Sequence, residues 1–230
     1  MSNFSHLVFN HIPKCAGSSL RQSLYNACSN HDYFSKVPIY ISNYSHNNIC
    51  LQENINLISA IHPETRLFFD HSHTYFFESN FNININSTYR ILSIRNPITR
   101  LISHIKFFDN ILITQCSYKT IKEKIMDYGN LTIKYLTLYK YNHQNLDTET
   151  LFNLAIDELS KYNFIFQKEK ISTNIQEFNI SNPFGLVLQE EYNNVSKTQE
   201  YEISNQKLSY IKSLLQFEIL LLKNYYPDLL

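Results

Sequence analysis

The sequence predicts an α/β domain with a mainly parallel central sheet. Short apolar runs alternate with longer segments of helical period along the chain. Two of those runs, "HLVFNHI" (6–12) and "TYRILSIR" (88–95), read as buried strands. Each leads through a short polar turn into a helix, as strands of a parallel sheet do. At 230 residues the chain is read as one domain, 1–230, and 43% hydrophobic content is enough to fill its core.

In chain order, residues 6–12 form the first strand. A helix follows from Ser18 or Ser19 to Cys28, with Leu20 and Leu24 on one face. Residues 29–50 are polar and broken by Pro38, so they read as loop with a short edge strand. "ENINLISAIHP" suggests a short helix ending before Pro63, and "TRLFFDHS" a strand over 65–72. After the strand at 88–95, Pro97 occupies the first turn of a helix, where its missing N–H leaves nothing unpaired. That helix runs through "ITRLISHIKFFDN". Further helices are expected at 118–128, 148–160 and 170–178, and a strand at 163–167. A last helix over 205–225 carries Leu208, Ile211, Leu215, Ile219 and Leu222 on one stripe.

Composition excludes several function classes. Twenty basic and twenty acidic residues cancel, so net charge favours neither nucleic acid nor an anionic membrane. No stretch reaches ~20 apolar residues, so no membrane span is expected. Cys15, Cys28, Cys50 and Cys116 show neither a CxxC pair nor zinc spacing, which reads as free thiols in a reducing compartment and no metal site. No secretory leader pattern opens the sequence. The richness in Asn, Ile, Lys, Tyr and Phe matches A/T-rich codons and reports the genome rather than the function.

Chemistry gathers at two strand-to-helix turns. The first, "HIPKCAGSSL", offers an anion the unpaired N–H groups and positive dipole end of a helix N-terminus. Lys14 adds a mobile charge, Ser18 and Ser19 add hydroxyls, and Gly17 allows close backbone approach. The GxxxxGK[ST] loop of nucleoside triphosphatases is absent, since here the lysine precedes the glycine. An ordinary turn with Ser18 as the helix N-cap is the competing reading. The second turn, "ILSIRNPITRLISHIKFF", sets Arg95 at a strand end and Ser103 eight residues on, two helical turns away. Arg95 can give an oxyanion a forked pair of hydrogen bonds. A salt-bridged arginine and a solvated serine are the bland alternative.

Together "FNHIPKCAGSSL" and "ILSIRNPITRLISHIKFF" resemble the sulfotransferases that use 3′-phosphoadenosine 5′-phosphosulfate. The resemblance is to the carbohydrate O-sulfotransferase branch, including Golgi enzymes and bacterial relatives. It implies a three-layer, P-loop-like fold. It also implies that Lys14, Cys15, Ala16, Gly17, Ser18 and Ser19 line the 5′-phosphosulfate, and that Arg95 and Ser103 hold the 3′-phosphate. "GNLTIKYLTLY" is similar to the family's Asn-x-x-Thr-Arg-x-Leu segment, with Lys134 in place of arginine. "ELSKYNFIFQKEKISTNIQEF" is similar to its helix, strand and Glu-containing loop, with Phe166 where glycine is common, and "NNVSK" (193–197) suggests a further loop over the donor.

The base would come from "LFFDHSHTYFF". His71 and His73 alternate after an apolar strand and so point the same way. A histidine near neutral pKa suits proton removal from a hydroxyl. The segment resembles the His-Gly-His of uronyl 2-O-sulfotransferases, with Ser72 for the glycine, and the wider family ranks His73 ahead of His71. Lys14 would stabilise the departing phosphate, giving a catalytic set of His73, His71 and Lys14 with no metal. The implied acceptor is a hydroxyl of a saccharide or glycolipid, sulfated in the cytoplasm, most simply of a bacterium. A small-molecule kinase would need a Walker-type loop and a magnesium-holding acid. A non-catalytic nucleotide-binding protein would bind 3′,5′-adenosine bisphosphate without transfer.

Overall fold

A computed structural model of the chain describes residues 4–32, 34–36, 39–41, 66–70, 83–137, 146–190 and 203–229. Among these, β1 (His6–His11), β2 (Ile39–Ile41), β3 (Leu67–Asp70), β4 (Thr88–Ile94) and β5 (Phe164–Gln167) form one sheet. All neighbours run parallel, in the order β2-β3-β1-β4-β5. The α/β architecture expected from the sequence is therefore the architecture found. β1 and β4 occupy the middle and are buried almost throughout, as strands covered on both faces must be. The outer strands β2 and β5 are only three and four residues long, which limits the unpaired edge they present.

Side-chain alternation sorts the two faces. Leu7, Phe9, Tyr89, Ile91 and Phe166 point to one side and pack on α1 (Gly17–Ser29) through Leu20, Leu24 and Cys28. Leu92 and Ile94 point to the other side and meet helices from later in the chain. These are α4 (Leu131–Thr137), α5 (Thr148–Leu159) and α8 (Gln216–Leu221). α6 (Ile171–Ser181) adds Ile175 and Phe178 to the first face. A third core joins α2 (Pro97–Asp109), α3 (Tyr118–Tyr128) and α7 (Asn205–Leu214). The layers are thus helix, sheet, helix.

Local signals explain most boundaries. Pro97 sits in the first turn of α2, and Asn110 ends that helix in the left-handed conformation Asn tolerates. Ser117, Asp147 and Ser204 cap α3, α5 and α7 by accepting from backbone N–H groups. Three elements differ from expectation. α1 starts at Gly17, with Ala16 rather than Ser18 at the N-cap. α4 is a helix that no periodicity in the sequence announces. The expected helix over 205–225 is two helices, broken at Leu215 (φ −100°, ψ 12°). Ile211, Leu215 and Ile219 belong to the α2–α3 core, whereas Leu221 and Leu222 belong to the core under α4 and α5, so α8 itself bridges the two.

Glu218 interrupts an apolar run in the sequence, yet it is completely buried. It lies 2.9 Å from Arg100 Nη2, and it accepts from the Thr132 N–H at 2.9 Å. Arg100 also donates to the Tyr128 carbonyl at 3.0 Å. This pair ties α2 to α4 and α8. Removing either partner would strand a buried charge, the costly way to break such a pair. Cys15, Cys28 and Cys116 are free and buried, and Cys50 lies outside the described residues.

Candidate active site at the carboxyl ends of β1 and β4

The chain leaves β1 toward β3 and β2, and leaves β4 toward β5 on the opposite side. The carboxyl ends of β1 and β4 therefore flank the point where strand order reverses, the crevice where open α/β sheets bind ligands. Both turns singled out in the sequence lie there.

The first turn, residues 12–16, is tight. The Cys15 N–H donates to the Ile12 carbonyl at 3.2 Å. Lys14 (φ 68°) and Ala16 (φ 62°) both adopt the left-handed conformation, which disfavours a side chain by ~1–2 kcal/mol per residue. Strain of this kind gathers where backbone direction matters to function. Ala16 is the N-cap of α1 and has no side-chain acceptor, so the first turn of α1 lacks a side-chain cap. Ser18 is exposed and Ser19 half-buried on that turn. Cys15 points into the core and is fully buried, and burial pushes its thiol up to about 12. It lines the loop from beneath, where burial disfavours the thiolate form a nucleophile needs. Gly17 matters for a reason the sequence does not reveal: a Cβ there would run into the ring of the buried His11.

The second turn is built differently. Asn96 caps α2, its Oδ1 accepting from the N–H groups of Ile98 at 3.0 Å and Thr99 at 3.2 Å. Arg95, just before the cap, turns toward the first turn and donates from Nη1 to the Lys14 carbonyl at 3.2 Å. Its Nε donates to Thr99 Oγ1 at 3.1 Å and lies 3.7 Å from Glu169 Oε1. Lys14 Nζ lies 3.7 Å from the centre of the Phe107 ring, within cation–π range. Thr99, Ser103 and Phe107 are four residues apart on α2 and so share one stripe. Ser103 stands between the residue that holds Arg95 and the ring beneath Lys14.

Electrostatics at the site are dominated by cations. Burial, and after it the neighbouring Arg95, lowers the pKa of Lys14 and likewise that of Lys168. Burial lowers that of Arg95 too, opposed by Glu169. Burial is the main cause in each case, and Arg95 adds to it at both lysines; three partly buried cations beside the Glu169 carboxylate make a surrounding suited to an anionic ligand. Lys168, Glu169, Thr99 and Tyr226 carry no motif that singles them out in the sequence. The only signal is the general likeness of 158–178 to a Glu-containing family loop. Lys134, where the family has arginine, donates to the Met126 carbonyl at 3.1 Å and so ties α4 to the end of α3. Phe166, in the place of a common glycine, is fully buried in the core under α1 and α6. His71, His73 and residues 193–197 lie outside the described residues.

With this geometry established, comparison with protein-family profiles matches residues 1–229 to the sulfotransferase family. The chain belongs to the sulfotransferase family. Curated protein sequences return no match. Membership makes the chain a transferase of sulfuryl groups, acting on a hydroxyl-bearing acceptor within a family that generally draws on 3′-phosphoadenosine 5′-phosphosulfate. Among the described residues no helix is long and apolar enough to cross a membrane.

Proposed function

We propose that this sulfotransferase takes its sulfuryl group from 3′-phosphoadenosine 5′-phosphosulfate and delivers it to a carbohydrate or glycolipid hydroxyl. The observation that carries the reading is the meeting of the two turns. Arg95 bonds to the Lys14 carbonyl, so two anion-seeking sites separated by eighty-one positions share one crevice. A nucleotide with a phosphate on each side of its ribose fits such a pair. In this reading the N–H groups opening α1, with Ser18 and Ser19, receive the 5′-phosphosulfate beside Cys15, Ala16 and Gly17. Arg95 and Ser103 receive the 3′-phosphate.

The donor supplies an activated sulfuryl group and adenosine bisphosphate as leaving group. Lys14 then has the chemical task. Its ammonium, on a mobile stem, neutralises charge gathering on the bridging oxygen as the S–O bond breaks, and α1 contributes its dipole. His73, with His71 beside it, accepts the proton of the acceptor hydroxyl as the new S–O bond forms. Holding acceptor oxygen, sulfur and leaving oxygen in line is most of the catalytic work, as in phosphoryl transfer.

The test is incubation with donor carrying labelled sulfate and a panel of desulfated polysaccharides and glycolipids. Labelled product and 3′,5′-adenosine bisphosphate should appear in equal amounts. Turnover of ATP with magnesium and no sulfuryl transfer would overturn the reading. His73→Ala should lower turnover while donor binding stays nearly intact. If His71→Ala does this instead, the roles of the two histidines are exchanged.

A further inference from the structure

The Arg95 guanidinium carries five N–H groups in a fixed fork. Two are committed, Nε–H to Thr99 Oγ1 and one Nη1–H to the Lys14 carbonyl. The other three have no hydrogen-bond partner among the described residues. The committed groups are themselves held. The Thr99 hydroxyl has two acceptors at 3.1 Å for its one proton, Glu169 Oε1 and the Asn96 carbonyl, and Tyr226 O–H donates to Glu169 Oε2 at 2.8 Å. Glu169 opens the turn after β5, and Tyr226 comes from the end of the chain, so three distant segments meet at this arginine.

The carboxylate is arranged unlike an ordinary ion pair. A partner evolved only to neutralise Arg95 would face the fork with both oxygens. Glu169 instead approaches the Nε side at 3.7 Å, with Oε2 accepting from Tyr226 and Oε1 within 3.1 Å of the Thr99 hydroxyl. It stands on the Nε side of the guanidinium, and Nη2 has no hydrogen-bond partner among the described residues. Tyr226 is buried, and burial together with Glu169 raises its pKa, so its phenol remains a donor.

We propose that Glu169, anchored by Tyr226, is a positioning residue that aims Arg95 at the donor's 3′-phosphate and so sets the preference for a 3′-phosphorylated nucleotide. The proposal rests on the reading of Arg95 given above. It makes Glu169 a specificity determinant although it is an anion close to an anion-binding group.

Calorimetric titration with 3′,5′-adenosine bisphosphate and with adenosine 5′-monophosphate decides it, through the ratio of the two affinities. Glu169→Gln should weaken the bisphosphate about five- to tenfold, within what a charge-assisted hydrogen bond contributes, and leave the monophosphate within about twofold. Tyr226→Phe should shift the ratio the same way by less. It retains the ring's packing, so it decides the question should Glu169→Gln fail to fold. Adding Glu169→Gln to Arg95→Ala should change nothing further, because the two act through one contact. Equal weakening of both ligands, or tighter bisphosphate binding as expected from removing a repulsive charge, would overturn the inference. An unchanged ratio in Arg95→Ala overturns the reading of Arg95 itself. A ratio that collapses in Arg95→Ala and persists in Glu169→Gln and Tyr226→Phe overturns only the role of Glu169.

Discussion

The two strand-to-helix turns at the centre of the sheet solve the same local problem in opposite ways. Both end a buried strand and begin a thirteen-residue helix. At the second turn Asn96 satisfies the opening N–H groups of α2, and Pro97 removes one of them. That helix end is closed. At the first turn the N-cap is Ala16, which has nothing to offer, and two residues are held left-handed to set the backbone. That helix end has no side-chain cap, and in the proposed function it is where the 5′-phosphosulfate sits. The self-capped turn contributes an arginine instead, turned across to the open turn. The proposed binding capacity lies in what one helix lacks and in a side chain its neighbour supplies.

The contrast can be broken from either side. The largest effect is expected at the open turn. Lys14→Ala should reduce sulfuryl transfer about 100-fold or more, the usual consequence of losing a donor aimed at developing charge. Wild-type turnover in a labelled-donor assay would contradict its role. At the closed turn, Arg95→Ala should weaken adenosine bisphosphate by about 2 kcal/mol, the worth of a charged hydrogen-bonded contact, with turnover at saturating donor affected less. Calorimetry beside steady-state kinetics separates these. Unchanged binding would remove Arg95 from the site.

The next change concerns how the open turn is supported. Gly17→Ala forces a methyl group against His11 and should lower stability by about 1–3 kcal/mol, as overpacking does. Urea unfolding measures this. The double variant Gly17→Ala/His11→Ala should recover a large part of the loss, and no recovery would mean the clash with His11 is not the cause. The smallest effect is at Ala16. Glycine is already preferred to alanine at a helix N-cap, and Ala16→Gly also relieves a left-handed conformation, so it should be neutral or stabilising by up to ~1 kcal/mol. A clear loss in the same unfolding assay would show that the conformation is not strained.

Much of the fold is legible in the sequence because it is local. The strand at 88–94 and the helices at 97–109, 118–128 and 148–159 follow from periodicity, Pro97 and side-chain caps within a few residues of each boundary. The stretch 131–137 is too short to show a helical period, and Asn130 before it makes no capping hydrogen bond through Oδ1, so its helix does not show in the sequence. The stripe from Leu208 to Leu222 points to one helix because its apolar spacing continues across the turn at Leu215. Lys14, Arg95 and Ser103 are legible as candidates, since lysine, arginine and serine at strand-to-helix turns have few other shared uses. Glu169 and Tyr226 are not. They stand 57 positions apart, and nothing near either announces the other. Gly17 stands out in the sequence, but its packing against His11 does not, because a close approach to a ligand and to a side chain leave the same mark.

The central claim is that the two turns form one site for one doubly phosphorylated nucleotide. Its most direct test is calorimetry of the unaltered protein with 3′,5′-adenosine bisphosphate and with its two halves, adenosine 5′-monophosphate and adenosine 3′-monophosphate. One bisphosphate should bind per chain, at least about tenfold tighter than either monophosphate, since each phosphate adds its own charged contacts. Equal affinity for all three, or no binding of the bisphosphate, would contradict the account.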